Sequence, residues 1–173
     1  GMNLETGKVR WVREIANQTG TDSWAVVTGG EGLAIFSLSE DEETNTSQVI
    51  AVEARTGEDR WSFRLNTTMH NMAPAFVDGG AALIFADSNA GLYKLAADNG
   101  TLLWAVPGYN WSVPEGPAKV YRSLAGGVQV ANGAVYSNGN PTFATGIARA
   151  HRVDTGELIW QSKKFREHVS NSG

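Results

Sequence analysis

From about residue 21 onward, the chain alternates short apolar runs with polar breaks rich in glycine and asparagine. In the clearest stretch the runs cover residues 72–77, 81–86, 91–96 and 101–106. Asp78-Gly79-Gly80 and Asp98-Asn99-Gly100 lie in the breaks, and such residues accept the positive φ angles of hairpin turns. Runs of this length without a 3.6-residue period predict β-strands. We therefore expect an all-β fold.

One six-residue pattern recurs four times and divides the chain into similar units. Each copy ends on a tryptophan four residues after a glycine: Thr6-Gly7-Lys8-Val9-Arg10-Trp11, Thr56-Gly57-Glu58-Asp59-Arg60-Trp61, Asn99-Gly100-Thr101-Leu102-Leu103-Trp104 and Thr155-Gly156-Glu157-Leu158-Ile159-Trp160. Successive tryptophans of the pattern are 50, 43 and 56 residues apart. Periods of about 40–50 residues are typical of β-propeller blades, each of which is one four-stranded sheet.

The predicted organisation is a single domain, residues 1–173, with the architecture of a partial β-propeller. We expect an extra outer strand at about 8–14 and then three four-stranded antiparallel blades, at about 21–65, 70–106 and 120–163. Polar stretches at 39–47 and 107–119 read as loop insertions into the longer repeats. Closed propellers have about four to eight blades, so three cannot easily close a ring. The chain is expected either to be part of a longer propeller or to pair with copies of itself through its open ends.

The repeat tryptophans have two interpretations. A large indole at a fixed place in an outer strand can pack across to the neighbouring sheet, and a glycine turn permits the close approach. This docking interpretation gives structural roles to Gly7, Trp11, Gly57, Trp61, Gly100, Trp104, Gly156 and Trp160. It predicts that the four tryptophans are buried between sheets. The alternative is a row of aromatic rings that stack on carbohydrate, but the constant offset from a turn favours packing.

Composition and charge narrow the chemistry. The chain contains no cysteine, which excludes disulfides, thiolate metal sites and cysteine nucleophiles. Its net charge of −4 disfavours a general nucleic-acid or anionic-membrane surface, because such surfaces need a basic patch. No apolar run is long enough for a membrane-spanning helix, and residues 1–20 are polar and lack the apolar core of a signal peptide.

The titratable residues show no catalytic or metal-binding pattern. His70, His151 and His168 lack the spacing of metal ligands on one element. Carboxylates cluster at residues 40–43 without the alternating spacing of a calcium loop, so a solvated acidic loop is favoured over a weak cation site. Serine-hydrolase and phosphate-cradle signatures are missing from the sequence. We therefore assign no catalytic residue and no metal ligand.

The most suggestive binding residues lie in and just after the insertion at 107–119. They are Tyr109, Trp111, Tyr121 and Arg122. Aromatic residues and arginine are enriched in binding hot spots, so a contact with a partner or ligand is one interpretation. The other is that Trp111 folds back over its own blade. Since Tyr109 and Trp111 stand outside the common repeat unit, we expect them to be more exposed than the repeat tryptophans.

The repeats resemble the tryptophan-docking repeats of PQQ-like β-propellers. Val52-Glu53-Ala54-Arg55-Thr56-Gly57 and Leu95-Ala96-Ala97-Asp98-Asn99-Gly100 carry the resemblance best, and it extends over residues 4–162. The family resemblance implies a propeller fold, and it leaves two function classes open.

The first class is a non-catalytic binding or scaffold module without a cofactor. Such a module would be periplasmic, cell-surface or secreted and would bind a protein partner. The second is a fragment of a PQQ-dependent quinoprotein dehydrogenase that oxidises sugars or alcohols, with PQQ and calcium as cofactors and its catalytic residues outside this chain. Many alcohol-oxidising members of the family carry a vicinal cysteine disulfide, so the lack of cysteine favours the first class.

Overall fold

The computed structural model describes residues 1–3, 5–13, 25–27, 32–41, 46–67, 69, 72–108, 127–142, 145–162 and 165–166. These residues form three antiparallel sheets, and the predicted all-β fold is confirmed. Within these ranges the helical structure is a single 3-10 turn at Asp78–Gly80. None of the described residues form a helix that is long and apolar enough to cross a membrane.

Each sheet is built from strands that follow one another in sequence. The first sheet has the order β1 (Ala25–Val27), β2 (Leu33–Asp41), β3 (Thr46–Glu53), β4 (Asp59–Leu65). The second has the order β5 (Ala75–Val77), β6 (Ala82–Ala86), β7 (Leu92–Ala96), β8 (Leu102–Val106). The third contains β9 (Gln129–Ala131), β10 (Ala134–Thr142), β11 (Thr145–Arg152) and β12 (Leu158–Gln161), and β13 (Phe165–Arg166) also pairs with β11. Short hairpin turns explain this sequential order, because antiparallel neighbours need only a tight connection.

The second sheet is apolar on both faces because it lies between the other two. All five residues of β6 are buried, and they alternate between two clusters. Leu83 and Phe85 belong to the cluster shared with the first sheet. Ile84 belongs to the cluster shared with the third sheet, which includes Val135. A continuous apolar run is the pattern expected of a strand that is covered on both sides.

The predicted outer strand at 8–14 is largely absent from the described residues. Val9 forms an isolated antiparallel bridge with Met2, and residues 10–13 are not in a strand. A strand needs a neighbouring strand to satisfy its backbone groups. The short segment before Gly7 supplies that neighbour over one bridge only.

Two hairpins are longer than the apolar pattern predicted. β2 continues to Asp41 and β3 begins at Thr46, so part of the polar stretch at 39–47 is strand rather than loop. In the third sheet β10 continues to Thr142, whereas the apolar run ends at Ser137. Backbone pairing between strands does not depend on side-chain polarity, so a hairpin can extend beyond the buried part of its sheet.

Candidate functional site

The four repeat turns share one backbone geometry. In each turn the glycine N–H donates to the carbonyl four residues earlier, in the pairs Gly7–Asn3 (2.8 Å), Gly57–Glu53 (2.8 Å), Gly100–Ala96 (2.9 Å) and Gly156–Arg152 (2.9 Å). The φ angles of these glycines lie between +66° and +78°, a region that is unfavourable for residues with a Cβ. The side chain before the glycine also accepts a hydrogen bond, as from the Thr101 N–H to Asn99 Oδ1 at 2.9 Å. The turn thus requires a positive φ at its glycine and a side-chain acceptor before it, which explains why Thr-Gly or Asn-Gly recurs there.

Each of the first three repeat tryptophans lies against the turn of the next repeat. A Cβ built on Gly57 would come within 2.6 Å of the Trp11 ring, one on Gly100 within 2.6 Å of Trp61, and one on Gly156 within 2.9 Å of Trp104. The indole Nε1 donates to the carbonyl three residues before that glycine, from Trp11 to Ala54 (3.1 Å), from Trp61 to Ala97 (2.9 Å) and from Trp104 to Val153 (3.0 Å). We call this contact the tryptophan joint. The offset within one repeat could not reveal that the receiving glycine belongs to the following repeat.

The repeat tryptophans differ in burial, although the sequence predicted that all four are buried. Trp61 is only 9% exposed, which leaves no free ring face for a carbohydrate. Trp11 and Trp104 are half-buried. Trp160 is 45% exposed and contacts Tyr136 of its own sheet, with 6.3 Å between the ring centroids. The prediction is wrong for Trp160, because no further repeat turn follows it among the described residues.

The joint between the second and third sheets contains a buried cation that sequence reasoning missed. Lys94 is 5% exposed, and its Nζ lies 2.7 Å from Asp78 Oδ2 and 3.1 Å from the Val153 carbonyl. That carbonyl also accepts the hydrogen bond of the Trp104 indole. Lys94 stands opposite Trp104 in the sheet, where the first sheet has Ala51 opposite its tryptophan. In the sequence, the sign of this buried cation was a lysine at the repeat position where the first sheet has alanine.

A polar cavity opens at the opposite end of the sheets. We call this end the connector face, since it carries the β6–β7 turn and the segments that leave β4 and β8. The cavity has a volume of about 220 Å³ and is lined by Asn66, Thr67, Asp87, Asn89, Tyr93 and Gly108. Asn89 Nδ2 donates to Thr67 Oγ1 at 3.1 Å, which links the first and second sheets across the cavity.

The carboxylate in this cavity is engaged by neighbouring donors. Asp87 Oδ1 accepts hydrogen bonds from the backbone N–H groups of Asn89 (2.8 Å) and Gly91 (2.7 Å). Its Oδ2 accepts the Tyr93 hydroxyl at 2.9 Å. Burial, and then the negative charge and hydrogen bond of Asp87, raise the pKa of the Tyr93 phenol far above its ordinary value. Tyr93 is therefore a hydrogen-bond donor here and not a proton-transfer group near neutral pH.

The four predicted binding residues, Tyr109, Trp111, Tyr121 and Arg122, lie outside the described residues. The ends of their segment are described. A Cβ on Gly108 would lie 2.5 Å from the Asn89 carbonyl oxygen, so the segment leaves β8 in close contact with the β6–β7 turn. Gly127 forms a parallel bridge with Ala73, just before β5. The described residues that flank 109–126, Gly108 and Gly127, therefore both lie beside the second sheet, on the connector face.

The other candidate residues do not form a metal site where they are described. His151 is 2% exposed, and its Nδ1 lies 3.0 Å from the Gly156 carbonyl, which assigns the proton to Nδ1. His70, His168 and the side chains of residues 40–43 are outside the described part of the chain. Among the residues that are described, no three histidine or carboxylate side chains come together where they could hold a metal ion.

Comparison with known proteins gives the family and the fold. The family model PQQ_2, described as "Outer membrane protein assembly factor BamB", matches residues 2–172. No curated protein sequence matches the chain. BamB from Moraxella catarrhalis is similar in structure, with a TM-score of 0.50 and 17% identity over 79% of this chain and 36% of that chain.

Two alcohol-oxidising enzymes are also similar in structure. Quinohemoprotein alcohol dehydrogenase from Comamonas testosteroni has a TM-score of 0.57 and 19% identity over 84% of this chain and 21% of that chain. A europium-containing methanol dehydrogenase has a TM-score of 0.53 and 14% identity over 80% of this chain and 26% of that chain. The chain thus spans about a fifth to a third of the length of these proteins, and the likeness confirms the predicted partial β-propeller. Because the family model covers nearly the whole chain, the protein belongs to the PQQ_2 family of PQQ-like β-propellers that bears the BamB description.

Proposed function

We propose that this chain is a non-catalytic binding module that presents residues 109–126 to a protein partner. The observation that carries the proposal is the anchoring of both ends of this segment on the connector face, at Gly108 and Gly127. A segment whose flanking residues are both fixed on a sheet is ordered at a lower entropic cost than a free loop when it binds. Within it, Trp111 is the central anchor, and Tyr109, Tyr121 and Arg122 surround it in sequence.

The polar cavity beside the segment supports a structural rather than a catalytic role. Both oxygens of Asp87 accept hydrogen bonds from the protein, and these bonds hold the β6–β7 turn and Tyr93 in place. PQQ is a polycarboxylate, and the described residues that line the cavity include Asp87 but no cationic side chain. The lining therefore does not fit PQQ, and we derive no reaction step from that cofactor.

The alternative is a segment of a PQQ-dependent dehydrogenase, and the likeness to two alcohol dehydrogenases favours it. Under that alternative the full-length protein binds PQQ with calcium and oxidises an alcohol or a sugar. Under our proposal it binds neither, and no oxidation is measured in a dye-linked assay. We also propose an extracytoplasmic location, in keeping with the BamB description of the family.

Photo-crosslinking tests the binding segment directly. A photoreactive phenylalanine analogue replaces Trp111 in one variant and Leu103 in a control, since Leu103 is 51% exposed on β8 and is not part of residues 109–126. We expect the variant at 111 to capture one discrete protein in the source cells, and Trp111→Ala to abolish co-purification of that protein. Equal capture at 103, or co-purification that survives Trp111→Ala, would contradict the proposal.

The expected exposure of Trp111 has its own measurement. Iodide quenches the fluorescence of exposed tryptophans, so Trp111→Phe should remove a large part of the quenchable emission. Trp61→Phe is the control, since the Trp61 ring is 9% exposed and should contribute little to quenching. Unchanged iodide accessibility after Trp111→Phe would show that Trp111 folds back over its own blade.

A further inference from the structure

The turn between β7 and β8 carries the sequence motif of an N-linked glycan. Asn99-Gly100-Thr101 has the asparagine, a middle residue other than proline and the hydroxyl residue that such a site requires. Both Asn99 and Thr101 are exposed, so the motif lies on the surface, where a bulky glycan has room. Asn140-Pro141-Thr142 lacks the motif, because proline occupies its middle position.

The turn uses one atom of the Asn99 amide and leaves the other available. Oδ1 accepts the hydrogen bond from the Thr101 N–H at 2.9 Å, and none of the described residues forms a hydrogen bond with Nδ2. A glycan is attached through Nδ2, and the amide carbonyl remains a hydrogen-bond acceptor after the attachment. The turn therefore keeps its side-chain hydrogen bond when a sugar is attached to Asn99.

The other three repeat turns show which parts of the motif the turn itself requires. Threonine stands at the position of Asn99 in those turns, and its Oγ1 accepts the same hydrogen bond at 3.3–3.4 Å. The position of Thr101 is taken there by Lys8, Glu58 and Glu157, so its side chain has no common role in the turn. Turn formation thus explains an oxygen acceptor at position 99, but it explains neither the amide nitrogen there nor the hydroxyl at position 101.

We propose that this motif is a site of N-glycosylation, with Asn99 as the modified residue. The transfer joins Asn99 Nδ2 to the anomeric carbon of a sugar and breaks the bond between that carbon and the phosphate of a lipid-linked glycosyl donor. The phosphate leaves with the bonding electron pair, and the amide nitrogen loses one proton. This inference rests on the extracytoplasmic location proposed above, because transfer from lipid-linked donors takes place outside the cytoplasm.

The position of Asn99 leaves the proposed binding surface uncovered. Asn99 lies at the end of the second sheet that carries the tryptophan joint, next to Gly100, and the connector face is at the opposite end. Asn66 begins a second motif of this kind, but it lines the polar cavity on the connector face. A glycan on Asn66 would obstruct the face that we propose for the protein partner. We therefore assign the glycan to Asn99 and not to Asn66.

Mass spectrometry of the chain purified from its source cells tests the site. We expect the tryptic peptide of residues 95–119 to carry a glycan that fragmentation assigns to Asn99 rather than to Asn110. Thr101→Ser keeps the hydroxyl and should keep the modification. Thr101→Ala keeps the asparagine and the turn but should lose the modification completely. Asn99→Thr restores the residue of the other three turns and should also lose it.

Labelling of intact cells separates this inference from the proposed location. An amine reagent that does not cross the cytoplasmic membrane should label an extracytoplasmic chain, because Lys8 is exposed. A chain that is labelled but carries no glycan at Asn99 would overturn the inference and leave the proposed function unaffected. A chain that is neither labelled nor glycosylated would overturn both the inference and the extracytoplasmic location. A glycan at Asn99 that survives Thr101→Ala would likewise contradict the motif as its site.

Discussion

Trp61 lies so close to Gly100 of the next repeat that a Cβ on that glycine would come within 2.6 Å of the indole ring. Its Nε1 donates a 2.9 Å hydrogen bond to the Ala97 carbonyl, three residues before the glycine. The same pair of contacts recurs for Trp11 and for Trp104. Only glycine at position 100 permits this close approach of the Trp61 ring. The ring contact and the directed hydrogen bond together fix how one sheet packs on the next.

Removal of Trp61 should destabilise the fold strongly. Trp61→Ala deletes a ring that is 9% exposed, and large aromatic deletions in cores cost about 3–5 kcal/mol. The same substitution at the half-buried Trp104 should cause the next largest loss of stability. The loss at Trp11 should be smaller, because its own strand is reduced to one bridge. In dilute solution Trp160→Ala should cost less than about 1 kcal/mol, as for surface substitutions. Urea unfolding of the variants gives the order, and a loss for Trp160→Ala as large as that for Trp61→Ala would contradict it.

A substitution at Gly100 should cost more than one at Gly79, although both have positive φ angles. Gly79→Ala meets no described atom, so its cost is the left-handed backbone alone, about 1–2 kcal/mol. Gly100→Ala adds a clash with the Trp61 ring. In the double variant with Trp61→Ala that clash disappears. The double variant should therefore lose less stability than the sum of the losses of the two single variants. Full additivity in denaturant unfolding would show that Gly100 and Trp61 are not energetically coupled.

Removing the partner of the Lys94 ammonium should destabilise the protein more than removing the ammonium itself. Asp78→Asn keeps the shape of the turn but leaves the buried ammonium with a weaker partner. We expect a loss of about 1 kcal/mol, since Asp78 is 53% exposed and solvent screens the pair. Lys94→Met removes the buried charge together with its desolvation penalty and should cost less. Chemical denaturation of the two variants measures the order, and a larger loss for Lys94→Met would contradict it.

Tyr93 should make stability fall in alkaline solution. In the unfolded chain this phenol ionises near its ordinary pKa of about 10, whereas burial and Asp87 keep it protonated in the folded protein. The folded-state pKa is raised, so the stabilisation is complete below about pH 10 and is lost as the pH rises above that value. The difference in unfolding free energy between the wild type and Tyr93→Phe isolates the effect from other titrating groups. A difference that stays constant across this range would contradict the assignment.

The repeat turns show how much of the fold the sequence determined by itself. Thr56-Gly57 and Asn99-Gly100 predicted tight turns, and the turns follow from local chemistry: a positive φ at glycine and a side-chain oxygen before it. The apolar run at Ala82–Ala86 predicted a strand for the same kind of local reason. The period of the tryptophans then predicted sheets of four strands. Strand, turn and repeat are properties of short segments, so the sequence was sufficient for them.

Only the tertiary structure decided which groups meet across sheets. The partner of Trp61 is 39 residues further along the chain, and nothing in the spacing distinguished Gly100 from the glycine of its own repeat. Lys94 reached Asp78 and Val153 only once the second and third sheets were stacked. The exposure of Trp160 depends on whether another turn lies against it, which its own sequence does not encode. Contacts between sheets depend on how distant strands pack. The pattern that predicted the sheets therefore could not predict which glycine turn receives each tryptophan.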